Sequence, residues 1–141
     1  MKRAIFIILL FFAWRGSSAP GRAEMFLPEG KVINPYECLF KAICEYESRN
    51  DTNAYNKKEN AVGIAQIRPI RILDYNIRAG KNYQLEEMYN VDKSREVFMY
   101  YAQRLKHPEL IIRKWNGSGP KTYEYLKEIQ KIIDRNQINS L

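Results

Sequence analysis

Downstream of residue 34 the apolar positions recur at helical spacing through most of the chain. Tyr36, Leu39, Phe40 and Ile43 fall on one stripe of a wheel advanced by about 100° per residue. Asn34 and Pro35 precede them as a side-chain cap and a first-turn proline, so a helix is predicted over residues 36–49. A second is expected from Pro69 through Ile70, Leu73 and Ile77, closed by Gly80. A third, over residues 92–106, aligns Ser94, Val97, Phe98, Tyr101, Ala102 and Leu105. "PELIIRKW" predicts a short helix before the turn "NGSGP", and residues 122–134 place Tyr123, Leu126, Ile129 and Ile133 on the face of a closing helix. Between the first two helices "NDTNAYNKKENAVG" is polar and rich in turn residues, and the short apolar run "VGIAQI" follows. The expected architecture is mostly α: one domain over residues 35–141 with a long loop or small β element, after an irregular lead-in over residues 24–34.

The first 23 residues have a different character. "MKR" is basic, "AIFIILLFFAW" is an apolar run of 11 residues, and "RGSSAPGRA" ends in small residues, the pattern of a secretory leader. The run is shorter than the roughly 20 residues an ordinary membrane span needs. An exported protein is expected, periplasmic or secreted, with no integral span once the leader is cut after Ala23. Cleavage changes the charge balance. Of the 23 basic residues, Lys2, Arg3, Arg15 and Arg22 leave with the leader, so 19 remain against 16 acids, a balance of +3 rather than +7. So mild an excess suits an exported protein meeting anionic envelope polymers and argues against nucleic-acid binding, which wants a clustered basic patch. Cys38 and Cys44 on one helix would stand about 9 Å apart at 1.5 Å rise per residue, beyond disulfide reach. They are expected as free thiols, and no metal-ligand spacing accompanies them.

Glu47 breaks the pattern of the first helix. It falls near the centre of the apolar stripe, whereas Glu37 and Glu45 lie away from it. Removing a carboxylate from water raises its pKa, the tuning a general acid needs near neutral pH. A helix-end glutamate reaching solvent, or a base such as Arg49 or Lys57, is the competing expectation.

The stretch "ESRNDTNAYNKKENAVGIAQIRP" resembles the signature of the soluble lytic transglycosylase domain of the lysozyme-like superfamily. That signature has Glu-Ser at a helix end, an Ala further on, a Gly-Leu-Met-Gln-Ile run and then a Pro. Glu47, Ser48, Ala54, Gly63, Gln66, Ile67 and Pro69 fill those places, and Asn116 and Gly117 of "KWNGSGP" match a downstream Tyr-Asn-Ala-Gly motif. A family motif Asn-Ile-x-x-Gly-x-x-Tyr is matched in letters by "NIRAGKNY", but too early in the chain, so the site tyrosine is assigned to Tyr101. The sequence departs from the pattern at Ala65, smaller than the usual residue, in a loop one residue longer before Gly63, and at Trp115 in place of tyrosine.

The resemblance implies a lysozyme-like fold and cleavage of the β-1,4 bond between N-acetylmuramic acid and N-acetylglucosamine in peptidoglycan. Glu47 would be the catalytic acid and base, and Ser48, Gly63, Gln66, Tyr101 and Asn116 would bind substrate. No cofactor or metal is called for. The implied partners are glycan strands, and a secretion or conjugation apparatus of the envelope is a further context. A hydrolytic muramidase of goose-lysozyme type and a non-catalytic glycan-binding module are the alternatives.

Overall fold

A computed structural model describes residues 25–26 and 32–139. The expected leader lies outside them. The lead-in is less irregular than its sequence suggests: β1 (Met25–Phe26) pairs antiparallel with β2 (Val32–Ile33), Met25 opposite Ile33. At the start of α1 (Pro35–Ser48) the Asn34 side chain accepts the Tyr36 N–H at 3.0 Å, and Pro35 occupies a position with no donor to waste. The helix ends where Arg49 turns into the left-handed region at φ 57°, returning its N–H to the Cys44 and Glu45 carbonyls.

The polar loop folds back as a hairpin, β3 (Tyr55–Asn56) against β4 (Ala61–Val62), with Tyr55 opposite Val62. Val62 and Ile67 then exchange backbone hydrogen bonds of 3.0 and 2.9 Å, so "VGIAQI" is a tight buried turn. Helix α2 (Pro69–Ala79) follows, and Gly80 closes it at φ 65°. A 3-10 turn (Leu85–Tyr89), which the apolar spacing did not announce, leads into α3 (Val91–Leu105). Helices α4 (Pro108–Asn116) and α5 (Lys121–Ile138) complete the chain. The described residues are thus mostly helical, with the two strand pairs as the only sheets among them.

One core joins these helices. Phe40 of α1, Phe98 of α3 and Trp115 of α4 stack in sequence, with ring centroids 5.3 and 5.2 Å apart. Each such aromatic pair contributes about 0.5–1.5 kcal/mol beyond area burial. Ile43, Val97, Ile111 and Ile129 fill the space around them with essentially no exposure.

Two helices are rotated from their expected phase. On α2 the apolar positions that marked the helix, Ile70, Leu73 and Ile77, are 67, 55 and 74 % exposed, and the buried side is Ile72 and Tyr75. The phenol of Tyr75 can be buried because it donates to Glu96 Oε1 at 2.7 Å. On α5, Tyr123 lies outside, under the Arg113 guanidinium, while Thr122, Tyr125 and Ile129 face inward. On both helices a side chain with a hydrogen-bonded hydroxyl takes a core position, Tyr75 on α2 and Tyr125 on α5.

Cys38 and Cys44 are both free. Burial pushes the Cys44 thiol up to about 12, assisted by the nearby Glu37 and Glu47 carboxylates, which places it far from the thiolate form that reacts. No helix among the described residues is long and apolar enough to cross a membrane.

Candidate functional site

Glu47 sits in the last turn of α1, half-buried. Its Oε1 accepts a 2.7 Å hydrogen bond from the Tyr125 phenol of α5, rather than pairing with Arg49 or Lys57. Desolvation raises the pKa of its carboxyl above the ordinary glutamate value. The Tyr125 hydrogen bond and the Arg68 and Arg71 cations work against that rise, and Glu59 adds to it. Tyr125 itself is pushed up by burial and by Glu47, so it stays a donor. The other acids of α1 are held outside: Glu37 pairs with Arg95 at 2.6 Å and Glu45 pairs with Arg135.

The chain just past Glu47 is built from unusual backbone. Arg49, Asn50, Asn60 and Gln66 all have positive φ, between 48° and 65°, which non-glycine residues seldom adopt. Such conformations persist only where surrounding contacts over-determine them: Arg49 and Asn50 return their N–H groups to the end of α1, Asn60 accepts the Tyr55 phenol, and Gln66 is held by its own side chain. Ser48 Oγ donates to the Ile64 carbonyl at 2.8 Å and to the Cys44 carbonyl at 3.1 Å, tying α1 to the 63–66 turn rather than serving the Glu47 carboxyl. Gln66 Nε2 donates to the carbonyls of Gly63 and Ala54 at 3.0 and 3.3 Å, and the Gly63 N–H reaches Ala54 O at 2.9 Å. Gly63, at φ 76°, packs so closely that a Cβ would stand 2.0 Å from the Met88 carbonyl oxygen. These two side chains and the glycine therefore build a shelf tied to the Glu47 helix through Ser48.

Asn116 is brought to the same shelf by its neighbour. Trp115 Nε1 donates to the Ala65 carbonyl at 3.2 Å, joining the C-terminal end of α4 to the 63–66 turn. The half-buried Asn116 side chain takes no hydrogen-bond partner among the described residues, which leaves its amide available. Tyr101 is elsewhere engaged: its phenol donates to Asp74 Oδ2 at 2.7 Å and to the Arg71 carbonyl at 3.2 Å, linking α3 to α2. "NIRAGKNY" is also accounted for locally, since the Asn76 side chain exchanges two hydrogen bonds with the Tyr83 backbone and closes the turn after α2.

Three contributors lie outside the motif positions. Tyr125 carries the hydrogen bond to Glu47. Arg71 is packed 4.2 Å from the Trp115 ring and 5.2 Å from that of Tyr101, and donates to the Lys114 and Trp115 carbonyls at 3.2 and 2.9 Å. Arg68 pairs with Glu59 of the hairpin at 3.1 Å. A buried tyrosine was signalled by the Thr122–Tyr125–Ile129 spacing, which competes with the more apolar stripe beginning at Tyr123. Nothing in the sequence separates the two arginines from ordinary surface charge.

Among the described residues no group of histidines, cysteines or carboxylates is arranged to hold a metal ion. A groove of about 550 Å³ between α2 and α3, lined by Tyr75, Glu96, Tyr100 and Arg104, does not include Glu47. What singles out Glu47 is its charge environment and its hydrogen bond, not enclosure. Chemically, such a group can hold a proton, deliver it and take one back. Compared with protein families, curated proteins and solved structures, the chain matches none.

Proposed function

We propose that this protein is an exported lytic transglycosylase of lysozyme-like fold, acting on the β-1,4 bond between N-acetylmuramic acid and N-acetylglucosamine in peptidoglycan. The observation that carries the proposal is the environment of Glu47: a desolvated carboxyl with a raised pKa, held by Tyr125 at the end of a helix. The ordered match of Glu47, Ser48, Gly63, Gln66 and Asn116 to the family signature supports it. So does the gathering of four of these five about the 63–66 turn, with Ser48 joining that turn to the Glu47 helix.

In this reading protonated Glu47 gives its proton to the glycosidic oxygen as the bond to C1 breaks. The N-acetyl carbonyl oxygen of the muramyl unit closes onto C1 and takes the positive charge. The Glu47 carboxylate then removes the proton from O6, O6 attacks C1, and the N-acetyl group is released. The product is a 1,6-anhydro end, with no water consumed and Glu47 protonated again. Asn116, with its free amide, orients the N-acetyl group. Ser48, Gly63 and Gln66 act by fixing the shelf, and Tyr101 acts through Arg71, so their part in binding is to shape rather than to touch. The working partner is a glycan strand, and a secretion or conjugation apparatus is a setting in which a small exported enzyme of this kind would open the wall.

A hydrolytic reading draws on Glu59, which lies close enough to Glu47 to raise its pKa and would activate a water as the second carboxylate of an ordinary glycosidase. Its engagement with Arg68 favours the transglycosylase reading. Digestion of purified peptidoglycan followed by mass analysis of the released ends separates them. Anhydro ends, lighter by one water, are expected; reducing ends would establish the hydrolase.

A further inference from the structure

Arg68 and Glu59 form an ion pair at the edge of the shelf, and it is a pair built to be exchanged. Their side chains are 38 and 48 % exposed, the pair is a single contact of 3.1 Å, and exposed pairs of this kind are weakly held. The two ends differ in how their backbone is anchored. Arg68 follows Ile67, which is locked to Val62 by two backbone hydrogen bonds, and directly precedes the first turn of α2. Glu59 sits in the connection between β3 and β4, whose strands are only two residues long. A guanidinium borne on anchored backbone thus faces a carboxylate carried on a short hairpin.

The surrounding charge is unbalanced. One turn along α2, Arg71 is held by backbone carbonyls and ring faces rather than by a salt bridge to a carboxylate. Arg68 follows the 63–66 turn directly after Ile67, and both arginines and Glu59 act on the charge of Glu47. An incoming anion would find the Arg68 guanidinium there, with Glu59 as the carboxylate it must displace.

We infer that Arg68 is a specificity-determining residue that selects acidic glycans, releasing Glu59 and taking in its place a carboxylate borne on the lactyl arm of the sugar. Guanidinium presents a planar fork suited to a carboxylate, and the exchange conserves one ion pair while the substrate gains a fixed anchor. The carboxylate is either the lactyl group itself, on strands stripped of peptide, or one belonging to an attached peptide. A neutral chitooligosaccharide of equal length has neither. This inference rests on the substrate class proposed above and extends it to a particular contact.

Calorimetric titration of the full chain carrying Glu47→Gln, which blocks turnover, gives the affinities directly. Three ligands are compared: a peptide-free muramyl oligosaccharide, its peptide-bearing form, and chitotetraose. Acidic ligand is expected to bind about tenfold tighter than chitotetraose, the scale of one charge-assisted contact. Adding Arg68→Gln should erase that ratio, Arg68→Lys should restore part of it, and Glu59→Gln should increase it. Preference for the peptide-free strand assigns the lactyl carboxylate, and preference confined to the peptide-bearing strand assigns the peptide. An unchanged ratio in Arg68→Gln, or no binding of either acidic ligand, overturns the inference. The two proposals fail separately. Wild-type cleavage of strands with an Arg68-independent ratio would remove only the selectivity, and an Arg68-dependent ratio without any cleavage would remove only the enzyme.

Discussion

The phenol of Tyr125 donates to Glu47 Oε1 at 2.7 Å, and this one contact joins the closing helix to the end of the first. Burial and hydrogen bonding pull the Glu47 carboxyl in opposite directions: desolvation raises its pKa, and the phenol, which binds the charged form, lowers it. Tyr125→Phe removes the second effect alone, so Glu47 holds its proton to higher pH. Since the leaving group needs that proton, the alkaline limb of the kcat/KM profile should move upward in pH, and kcat should fall because the carboxylate form is no longer stabilised. A profile with unchanged limbs would show that the contact does not tune the acid.

The same raised pKa has a consequence for stability. A glutamate that titrates at its ordinary value when unfolded, and at a higher value when folded, leaves the native state binding more protons between those two values. Stability is therefore lost as pH rises through that window. Glu47→Gln removes the titration, so its melting temperature should exceed that of the wild type near neutral pH. The difference should shrink as pH falls through that window and be gone below about 4, where the glutamate is largely protonated folded and unfolded alike. Thermal melts across that range check the sign.

Gly63→Ala should be strongly destabilising. The new methyl would stand 2.0 Å from the Met88 carbonyl oxygen, and φ of 76° is unfavourable to any side chain. Backbone strain of this kind costs about 1–3 kcal/mol before the overlap is counted, so a loss of at least about 2 kcal/mol in chemical denaturation is expected. Because Met88 O also accepts the buried Ser94 hydroxyl at 2.6 Å, movement of the 3-10 turn would not relieve the overlap freely.

Trp115→Phe keeps much of the aromatic stack on Phe98 but leaves the Ala65 carbonyl without its donor. An unsatisfied buried acceptor costs about 1–3 kcal/mol. Activity should fall further than stability alone predicts, because the same bond carries Asn116 to the 63–66 turn. Denaturation and turnover measured on one preparation separate the two effects.

The two sides of α2 offer a sharper contrast. Leu73→Lys and Ile77→Lys should each change stability by no more than about 0.5 kcal/mol, as exposed substitutions do. Ile72→Ala, inside the core, should cost about 2–5 kcal/mol.

That contrast marks what the sequence could convey. Helix α1 was legible to within a residue at each end because its start depends on local chemistry, the Asn34 cap and Pro35, and its face on an apolar stripe that only Glu47 interrupts. Helix α3 was legible from the helical spacing of Ser94, Val97, Phe98 and Ala102, all of them buried. On α2 and α5 the existence of the helix was clear and its phase was not, because Tyr75 and Tyr125 are buried with their hydroxyls bonded to distant partners, and hydropathy gives such residues little weight. The site shows the same division. Glu47 was visible as an acid on an apolar stripe, and Gly63 and Gln66 as ordered motif positions. The roles of Ser48 and Gln66 were not, since a side chain that bonds a backbone carbonyl sixteen or twelve residues away leaves no periodic trace. Tyr101 was picked out as a site tyrosine, whereas its phenol binds Asp74 and the Arg71 carbonyl.

The most direct test of the central claim is release of soluble muropeptides from purified peptidoglycan by the wild-type protein and by Glu47→Gln under identical conditions. General acid–base catalysis by one positioned side chain contributes about 10²–10⁴-fold. The account predicts that the wild type releases fragments with 1,6-anhydro ends and that the variant, still folded by circular dichroism, is slower by at least about 100-fold. Equal release by the two proteins, or none by the wild type, would contradict it.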